Sequence, residues 1–360
     1  MVKLAIVSPN KYKYSETFIH AHVRALPFEK VLLHGGYLPL YASRSLEGPD
    51  EVLESRAWHR PHTPEESLKR FLKREKVGVL LAEYGPTGVA VMGVCQTLNL
   101  PLVVHFHGYD AYREDILGEQ GQHYPELFRQ AQALVVVSRD MEAQLLRLGA
   151  PAEKIHHIPY GVDPELFAQV DPAENPPHLI SVGRFVAKKA PQLTLEAFFQ
   201  IAPQYPESEL TMIGDGELLA PCLELVEEQG LSERVHFTGQ LPPEAVAMRM
   251  QASRALVQHS CLTDAGDSEG LPLSVLEAMA SGIPVVATDH AGIPDAVRHR
   301  LEGLLSPERD TEAMALHMAE VIKDSLLAAQ LGNAGRRRVE AHFSRSIYIH
   351  KLTNLIHRII

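Results

Sequence analysis

Short apolar runs in this chain repeatedly give way to longer stretches of helical periodicity, and that rhythm is the mark of βα units wound into parallel sheets. In the first half the expected strands are Leu4–Ser8, Lys30–His34, Val79–Ala82, Leu102–Phe106, Leu134–Val137 and Ile155–Ile158. They are rich in Val, Ile and Leu, as strands buried on both faces tend to be. Helical patterns lie between them at Thr17–Leu26, Pro64–Lys76, Gly88–Leu98 and Arg139–Leu148, the last stopped by Gly149 in the position of a C′ glycine. The polar, proline-rich stretch Asp171–Pro177 interrupts the rhythm and reads as a linker. The pattern then restarts with strands at His178–Val182, Glu209–Ile213, Val235–Thr238, Ala255–Gln258 and Pro284–Thr288. Helices are expected at Pro191–Ala202, Glu217–Glu228, Pro243–Ala252, Pro272–Ala280, Thr311–Lys323 and Leu326–His342. The expectation is an α/β chain with one Rossmann-like domain over 1–170, a linker at 171–177, a second domain over 178–343, and a final amphipathic helix over 344–360.

Composition narrows the function. A chain of 360 residues with 45% hydrophobic and 22% charged residues has the profile of a globular protein with a sizeable core. Its formal net charge of −11 excludes nucleic acid as the main partner, because phosphate-backbone binding needs a broad basic surface. The three cysteines, Cys95, Cys222 and Cys261, are scattered, with neither a disulfide framework nor a paired metal motif, which fits a reducing compartment. The apolar run Leu4–Val7 is short for a signal peptide and reads as a first strand. No run reaches the roughly 18 residues of a spanning helix. The expected location is therefore cytoplasmic, with at most peripheral contact on a membrane. The pairs His20/His22 and His105/His107 stand two residues apart, a spacing that does not put metal ligands on one helix face, and no metal is expected.

In open parallel sheets ligands bind beyond the carboxyl ends of the strands, so the residues after each strand carry the chemistry. The sharpest stretch is EGLPLSVLEAMASGIPVVAT, from Glu269 to Thr288. Glu269 precedes an expected helix, Pro272 suits its first turn, Glu277 lies within it, and Gly282 follows its end. Helical rise of ~1.5 Å per residue would separate the two carboxylates by about 12 Å, beyond the roughly 5–9.5 Å of a glycosidase pair. That spacing suits a long ligand such as a nucleotide sugar. The free amides of Gly270 and Leu271 would suit phosphate. Taken alone, the pair fits equally well a dipole partner and a solvated glutamate.

Two further stretches follow strands. GRFVAKKAP places Gly183, Arg184 and Lys189 on a βα loop, where fixed cations could neutralise a departing diphosphate. HFHGYDAY places His107, Gly108, Tyr109 and Asp110 after a strand of the first half. There the glycine permits close backbone approach, His105 is expected to point back into the sheet, and Tyr109 and Asp110 are expected on the acceptor side.

Together these motifs resemble retaining glycosyltransferases of family 4, with the GT-B architecture of two Rossmann-like domains whose sheets face an interdomain cleft. The stretches VVVSRDMEAQLLRLGAPAEKIHHIPYGVDPELF, IGDGE, FTGQLP and ATDHAGIPDAV extend the resemblance over nearly the whole chain in order. YSETFI and HFHGYDA are similar to the colanic-acid and exopolysaccharide branch. The resemblance implies that Arg184 and Lys189 bind the donor diphosphate, that Glu269 holds hydroxyls of the donor sugar, and that Glu277 holds the ribose. It implies that His107 lies beside the transferred sugar, that Ser15 and Glu16 approach the diphosphate or acceptor, and that Gly214 and Gly216 lie near the base pocket. The family pattern brings the final helix back to the first domain. Two departures stand out: Tyr14-Ser15-Glu16-Thr17 replaces the usual Gly-Gly of the first loop, and Asp295 replaces the usual glutamate of a GGIPE motif.

The implied reaction is transfer with retention from a nucleotide diphosphate sugar to a glycan or lipid-linked acceptor, in cell-surface or exopolysaccharide synthesis. The chain lacks an Asp-x-Asp motif, so no metal or other cofactor is expected. The basic amphipathic stretch Glu65–Lys76 is a candidate for contact with anionic lipid, though such stripes more often pack on a sheet. The rival readings are a nucleotide-sugar epimerase, a phosphorylase, and a non-catalytic nucleotide-sugar-binding protein of the same fold. A dinucleotide oxidoreductase is disfavoured, because Gly214-Asp-Gly216 continues to Leu219 where the fingerprint needs a third glycine.

Overall fold

The computed structural model describes residues 2–13, 16–53 and 63–360. By its contacts the chain forms two units: Met1–Pro159 with Tyr348–Ile360, and Tyr160–Ile347.

Unit 1 is built on eight strands: β1 (Lys3–Val7), β2 (Glu29–His34), β3 (Tyr41–Ser43), β4 (Glu51–Val52), β5 (Val77–Glu83), β6 (Leu102–His105), β7 (Ala133–Val136) and β8 (Ile155–His157). Their order is β4-β3-β2-β1-β5-β6-β7-β8. The sheet is parallel from β2 through β8, and β3 and β4 add an antiparallel edge. Connections run one way from β1 and the other way from β5, so the switch point lies between them. Residues Leu4–Val7 and Val79–Glu83 there are wholly buried, which is why these strands read as unbroken apolar runs.

The helix Pro64–Arg74 starts at a capping box in which Thr63 and Glu66 satisfy each other's backbone amides. It buries Leu68, Phe71 and Leu72 and exposes Arg70, Lys73 and Arg74. The apolar stripe is therefore spent on the protein, and only charge remains for a lipid surface. Among the described residues no helix is long and apolar enough to cross a membrane.

Unit 2 holds six parallel strands: β9 (His178–Val182), β10 (Glu209–Ile213), β11 (Val235–Phe237), β12 (Ala255–Gln258), β13 (Val285–Thr288) and β14 (Gly303–Ser306). Their order is β11-β10-β9-β12-β13-β14, with the switch point between β9 and β12. Leu179, Leu210 and Val257 from the sheet pack with Phe198 of helix Pro191–Ile201 and Met318 of helix Thr311–Lys323.

The division between units falls before the proline-rich stretch. Val162 N–H donates to the Phe343 carbonyl at 2.9 Å and Val170 N–H to that of Ser281 at 3.0 Å. The Asn175 amide donates to the carbonyls of Gln251 and Ser253, and Arg254 donates to the Asn175 carbonyl. Asp171–Pro177 is thus stitched onto unit 2. The final helix, Arg345–Ile359, contributes its residues from Tyr348 onward to unit 1, where His357 meets Phe28 with ring centroids 5.0 Å apart.

Three strands escape the sequence reading. β3 and β4 are too short to show alternation, and β14 follows a turn directly. The helix expected to reach His342 stays α-helical only to Arg338 and ends in a wider π turn over Val339–Phe343, which presents the Phe343 carbonyl to Val162.

Helix Ser325–Arg338 sits hard against the turn after helix Leu273–Ser281. A Cβ on Gly332 would lie 1.8 Å from the Gly282 carbonyl oxygen, so backbone must move to admit it. Gly332→Ala is expected to cost about 1–3 kcal/mol, read as a lower urea midpoint; an unchanged midpoint would contradict this packing.

Candidate active site

The carboxyl end of β9 turns into Gly183–Lys189, which lines a recess with Gly183, Arg184 and Lys189 on its wall. Two glycines of the next βα loop hold this turn. A Cβ on Gly214 (φ +140°) would lie 1.9 Å from the Gly183 carbonyl oxygen, and one on Gly216 (φ +153°) 2.4 Å from that of Phe185. Phe185 N–H donates to the Asp215 carbonyl at 2.9 Å, and Leu218 N–H returns to the Phe185 carbonyl at 3.0 Å. Gly214 and Gly216 therefore shape the loop that carries Arg184. The Arg184 side chain is exposed and enters no ion pair among the described residues.

Two lysines join this loop to the segment after β12. Lys189 Nζ stands 3.0 Å from Glu269 Oε1, with side-chain exposures of 15% and 9%, low enough for the pair to gain from weak screening. Lys188 donates to Asp267 Oδ1 and to the Ser268 carbonyl, each at 3.0 Å. Burial pulls the Glu269 carboxyl upward, but Lys189 and Lys188 outweigh it and hold its pKa below the usual carboxylate range. The group is thus kept as a carboxylate.

The helix of this motif starts later than the sequence suggests. It spans Leu273–Ser281 with Pro272 at the N-cap, so Glu269 lies in non-helical chain and the 12 Å estimate does not apply. Lys189 acts electrostatically on both Glu269 and Glu277, and its ion pair is with Glu269. The amides of Gly270 and Leu271 donate no hydrogen bond among the described residues and flank Glu269. Glu277 keeps some exposure, yet desolvation lifts its carboxyl to about 7 against the opposing charges of Lys189 and Arg345.

Two residues missed by the sequence reading position Glu269. His290 Nδ1 lies 2.6 Å from Glu308 Oε1, and His290 Nε2 lies 3.3 Å from both the Glu269 amide and Ser268 Oγ. A carboxylate at Nδ1 fixes the proton there and leaves Nε2 as an acceptor for the Glu269 N–H. His290 was in view, inside ATDHAGIPDAV, but nothing in the spacing ties it to Glu308.

In unit 1, His107 Nε2 lies 2.9 Å from Glu83 Oε2. Its ring stacks on Phe18 at 4.2 Å and meets Tyr84 edge-on at 4.7 Å. Asp110, expected on the acceptor side, is instead wholly buried. Its carboxylate accepts from the amides of Gly85 (3.0 Å), His107 (3.0 Å) and Gly108 (2.9 Å), so it braces the loop and presents nothing to a ligand. Tyr109 packs on Tyr84 at 4.9 Å, and burial raises its phenol pKa. Glu16 is also turned inward, accepting from Tyr84 Oη at 2.9 Å and pairing with Lys13 at 3.1 Å. Ser15 lies outside the described residues.

Residues 162–338 match the family model for glycosyl transferases group 1, and residues 29–166 match that for glycosyltransferase family 4. The chain is 32% identical to the amylovoran biosynthesis glycosyltransferase AmsK of Erwinia amylovora over 285 residues, covering 78% of this chain and 70% of that protein. It is 29% identical to the putative colanic acid biosynthesis glycosyltransferase WcaL of Escherichia coli K12, covering 78% and 70%. Among solved structures, the Anabaena protein HepE in complex with UDP and glucose superposes with a TM-score of 0.81 at 17% identity, over 99% of this chain and 100% of that one. Sucrose-phosphate synthase from Thermosynechococcus elongatus gives 0.80 at 21% identity, over 99% of each chain.

The two-lysine junction yields an expectation independent of any ligand. Lys189→Ala strands the Glu269 carboxylate and should lower the unfolding free energy by about 3–5 kcal/mol. Glu269→Gln added to it should cost less than the sum of the two single changes. A double-mutant cycle in urea with no coupling would contradict the ion pair.

Proposed function

Because this chain belongs to the group 1 and family 4 glycosyltransferases and has their GT-B fold, we propose that it moves a sugar, with retention, from a nucleotide diphosphate donor to a glycan or lipid-linked acceptor. The similarity to amylovoran and colanic acid enzymes supports placing the reaction in exopolysaccharide synthesis. The observation that carries the reading is the edge of unit 2, where the recess after β9 is lined by Arg184 and Lys189, Lys189 pairs with Glu269, and the amides of Gly270 and Leu271 donate no hydrogen bond among the described residues.

In this reading the glycosyl–phosphate C–O bond breaks while the acceptor oxygen bonds to the anomeric carbon on the same face. The acceptor proton passes to the departing phosphate oxygen, so the protein need not supply a strong base. Arg184, Lys189 and the two amides stabilise charge growing on the diphosphate. Glu269, held ionised and aimed by His290, accepts from hydroxyls of the donor sugar. Glu277 accepts from the ribose, and His107 lies beside the transferred sugar. No divalent cation is assigned a part. Any lipid contact is electrostatic, through the exposed basic residues of helix Pro64–Arg74.

A transfer assay with donors screened by thermal shift tests this. Arg184→Ala is expected to lower kcat by about 10²–10³-fold with an unchanged melting temperature, and EDTA to leave the wild-type rate intact. Equal rates for wild type and Arg184→Ala, or loss in EDTA restored by manganese, would overturn the respective assignment. An isomerised nucleotide sugar with no glycoside would favour an epimerase.

Glu277 gives a pH signature. With its carboxyl lifted to about 7, it is mostly protonated below that pH and a better hydroxyl acceptor above it. Donor Kd should therefore fall as pH rises from 6 to 8, on the order of tenfold at most per unit. Glu277→Gln should flatten the profile; an identical profile in that variant would remove Glu277 from the ribose site.

A further inference from the structure

Glu83, at the end of β5, carries a wholly buried carboxylate that no step of the proposed reaction uses. Both of its oxygens are engaged by imidazoles. His22 Nδ1 lies 2.6 Å from Oε1, and His107 Nε2 lies 2.9 Å from Oε2. The far nitrogen of His22, Nε2, hydrogen-bonds to Tyr348 Oη on the final helix. His105 Nδ1 stands 3.8 Å from Oε2, and burial keeps that ring neutral, its pKa well below the usual value. Burial also pulls the Glu83 carboxyl upward, but the charge of His22 and the hydrogen bonds from His107 and His22 hold it below the usual carboxylate range.

An ionised carboxylate can only accept hydrogen bonds. The ring nitrogens of His22 and His107 that face it must therefore both carry protons. A neutral His107 protonated at Nε2 leaves Nδ1 as its acceptor. The ring is also held between Phe18 and His105, with centroids 4.2 Å away on each.

We propose that Glu83 is a positioning residue for His107: it holds the imidazole in the Nε2–H tautomer and in one orientation, while His22 and Tyr348 hold the carboxylate itself. This rests on the reading that His107 lies beside the transferred sugar.

The same groups invite comparison with a metal site, since ligand atoms of His22, Glu83 and His105 lie within 4.8 Å of one another. Zinc bonds at about 2.0–2.1 Å would space tetrahedral ligand atoms roughly 3.3 Å apart. The 2.6 Å between His22 Nδ1 and Glu83 Oε1 is too short for that and is the length of a charge-assisted hydrogen bond.

Long-range ¹H–¹⁵N spectra of the full-length labelled protein test the proposal, with the His107 ring assigned by its loss in His107→Asn. The expected wild-type result is a neutral His107 protonated at Nε2. Glu83→Gln offers one carbonyl oxygen where two acceptors stood, so one of the two imidazoles, His107 or His22, must turn to accept from the amide. Its ¹⁵N shifts should change tautomer. In the transfer assay kcat should fall by about 10–100-fold, as for outer-shell partners that orient an imidazole, with donor KM nearly unchanged and partial recovery in Glu83→Asp. A wild-type His107 protonated at Nδ1 alone overturns the proposal, as does a folded Glu83→Gln with both rings and kcat unchanged, or stoichiometric zinc in the purified protein. The wild-type spectrum decides even where Glu83→Gln fails to fold. It needs no substrate, so absence of transfer would count against the proposed reaction and leave the tautomer question to the spectrum.

Discussion

Between Lys189 and Glu269 an ammonium and a carboxylate stand 3.0 Å apart, each with little exposure. Either charge alone would cost several kcal/mol in that setting, so each requires the other. The loop after β9 is thereby fastened to the segment after β12, on either side of the switch point in unit 2. Lys188 repeats the fastening through Asp267 and Ser268. With those two lysines committed, Arg184 remains as an exposed guanidinium on the same loop. Among the described residues the amides of Gly270 and Leu271 donate no hydrogen bond, in the irregular chain that leads from Glu269 to the helix at Leu273.

The two units share a device. In unit 2, Glu308 sets the proton on His290 so that its other nitrogen can accept from the Glu269 amide. In unit 1, Glu83 faces His107 in the same manner, and His22 stands on its other oxygen. In each case a carboxylate selects a tautomer, and the imidazole hands that choice on. The energetic logic is common to both: a buried imidazole has two chemically different nitrogens, and a fixed acceptor removes the ambiguity.

Much of the fold was legible because parallel strands buried on both faces read as unbroken apolar runs. β1, β5, β7 and β13 declare themselves in this way, and Pro191 and Gly282 punctuate helices of unit 2. β3, β4 and β14 are too short to declare a period. On the candidate site, Arg184, Lys189 and Glu269 stand out in the sequence because they lie in loops that follow strands, and the structure joins Lys189 to Glu269. Where sequence reasoning failed, packing decided the matter. Asp110 looks like a free acid in HFHGYDAY, yet three amides take its oxygens. Glu83 looks like the polar end of a strand, and His22 and Tyr348 like ordinary helix residues, because contacts spanning most of the chain leave no local trace. His290 and Glu308 illustrate the same limit, since each is unremarkable without the other.

The placement of Tyr348–Ile360 in unit 1 has a consequence for how the protein is made. Unit 1 is begun first, yet its last helix leaves the ribosome only after all of unit 2. At about 5–20 residues per second, the sheet of β1–β8 waits roughly 10–40 s for the tyrosine that closes against His22. During that interval, while unit 2 is being synthesised, the nascent unit exposes the apolar seat of the missing helix, around Phe28. Loss of Tyr348–Ile360 would therefore damage the half of the molecule that was synthesised first.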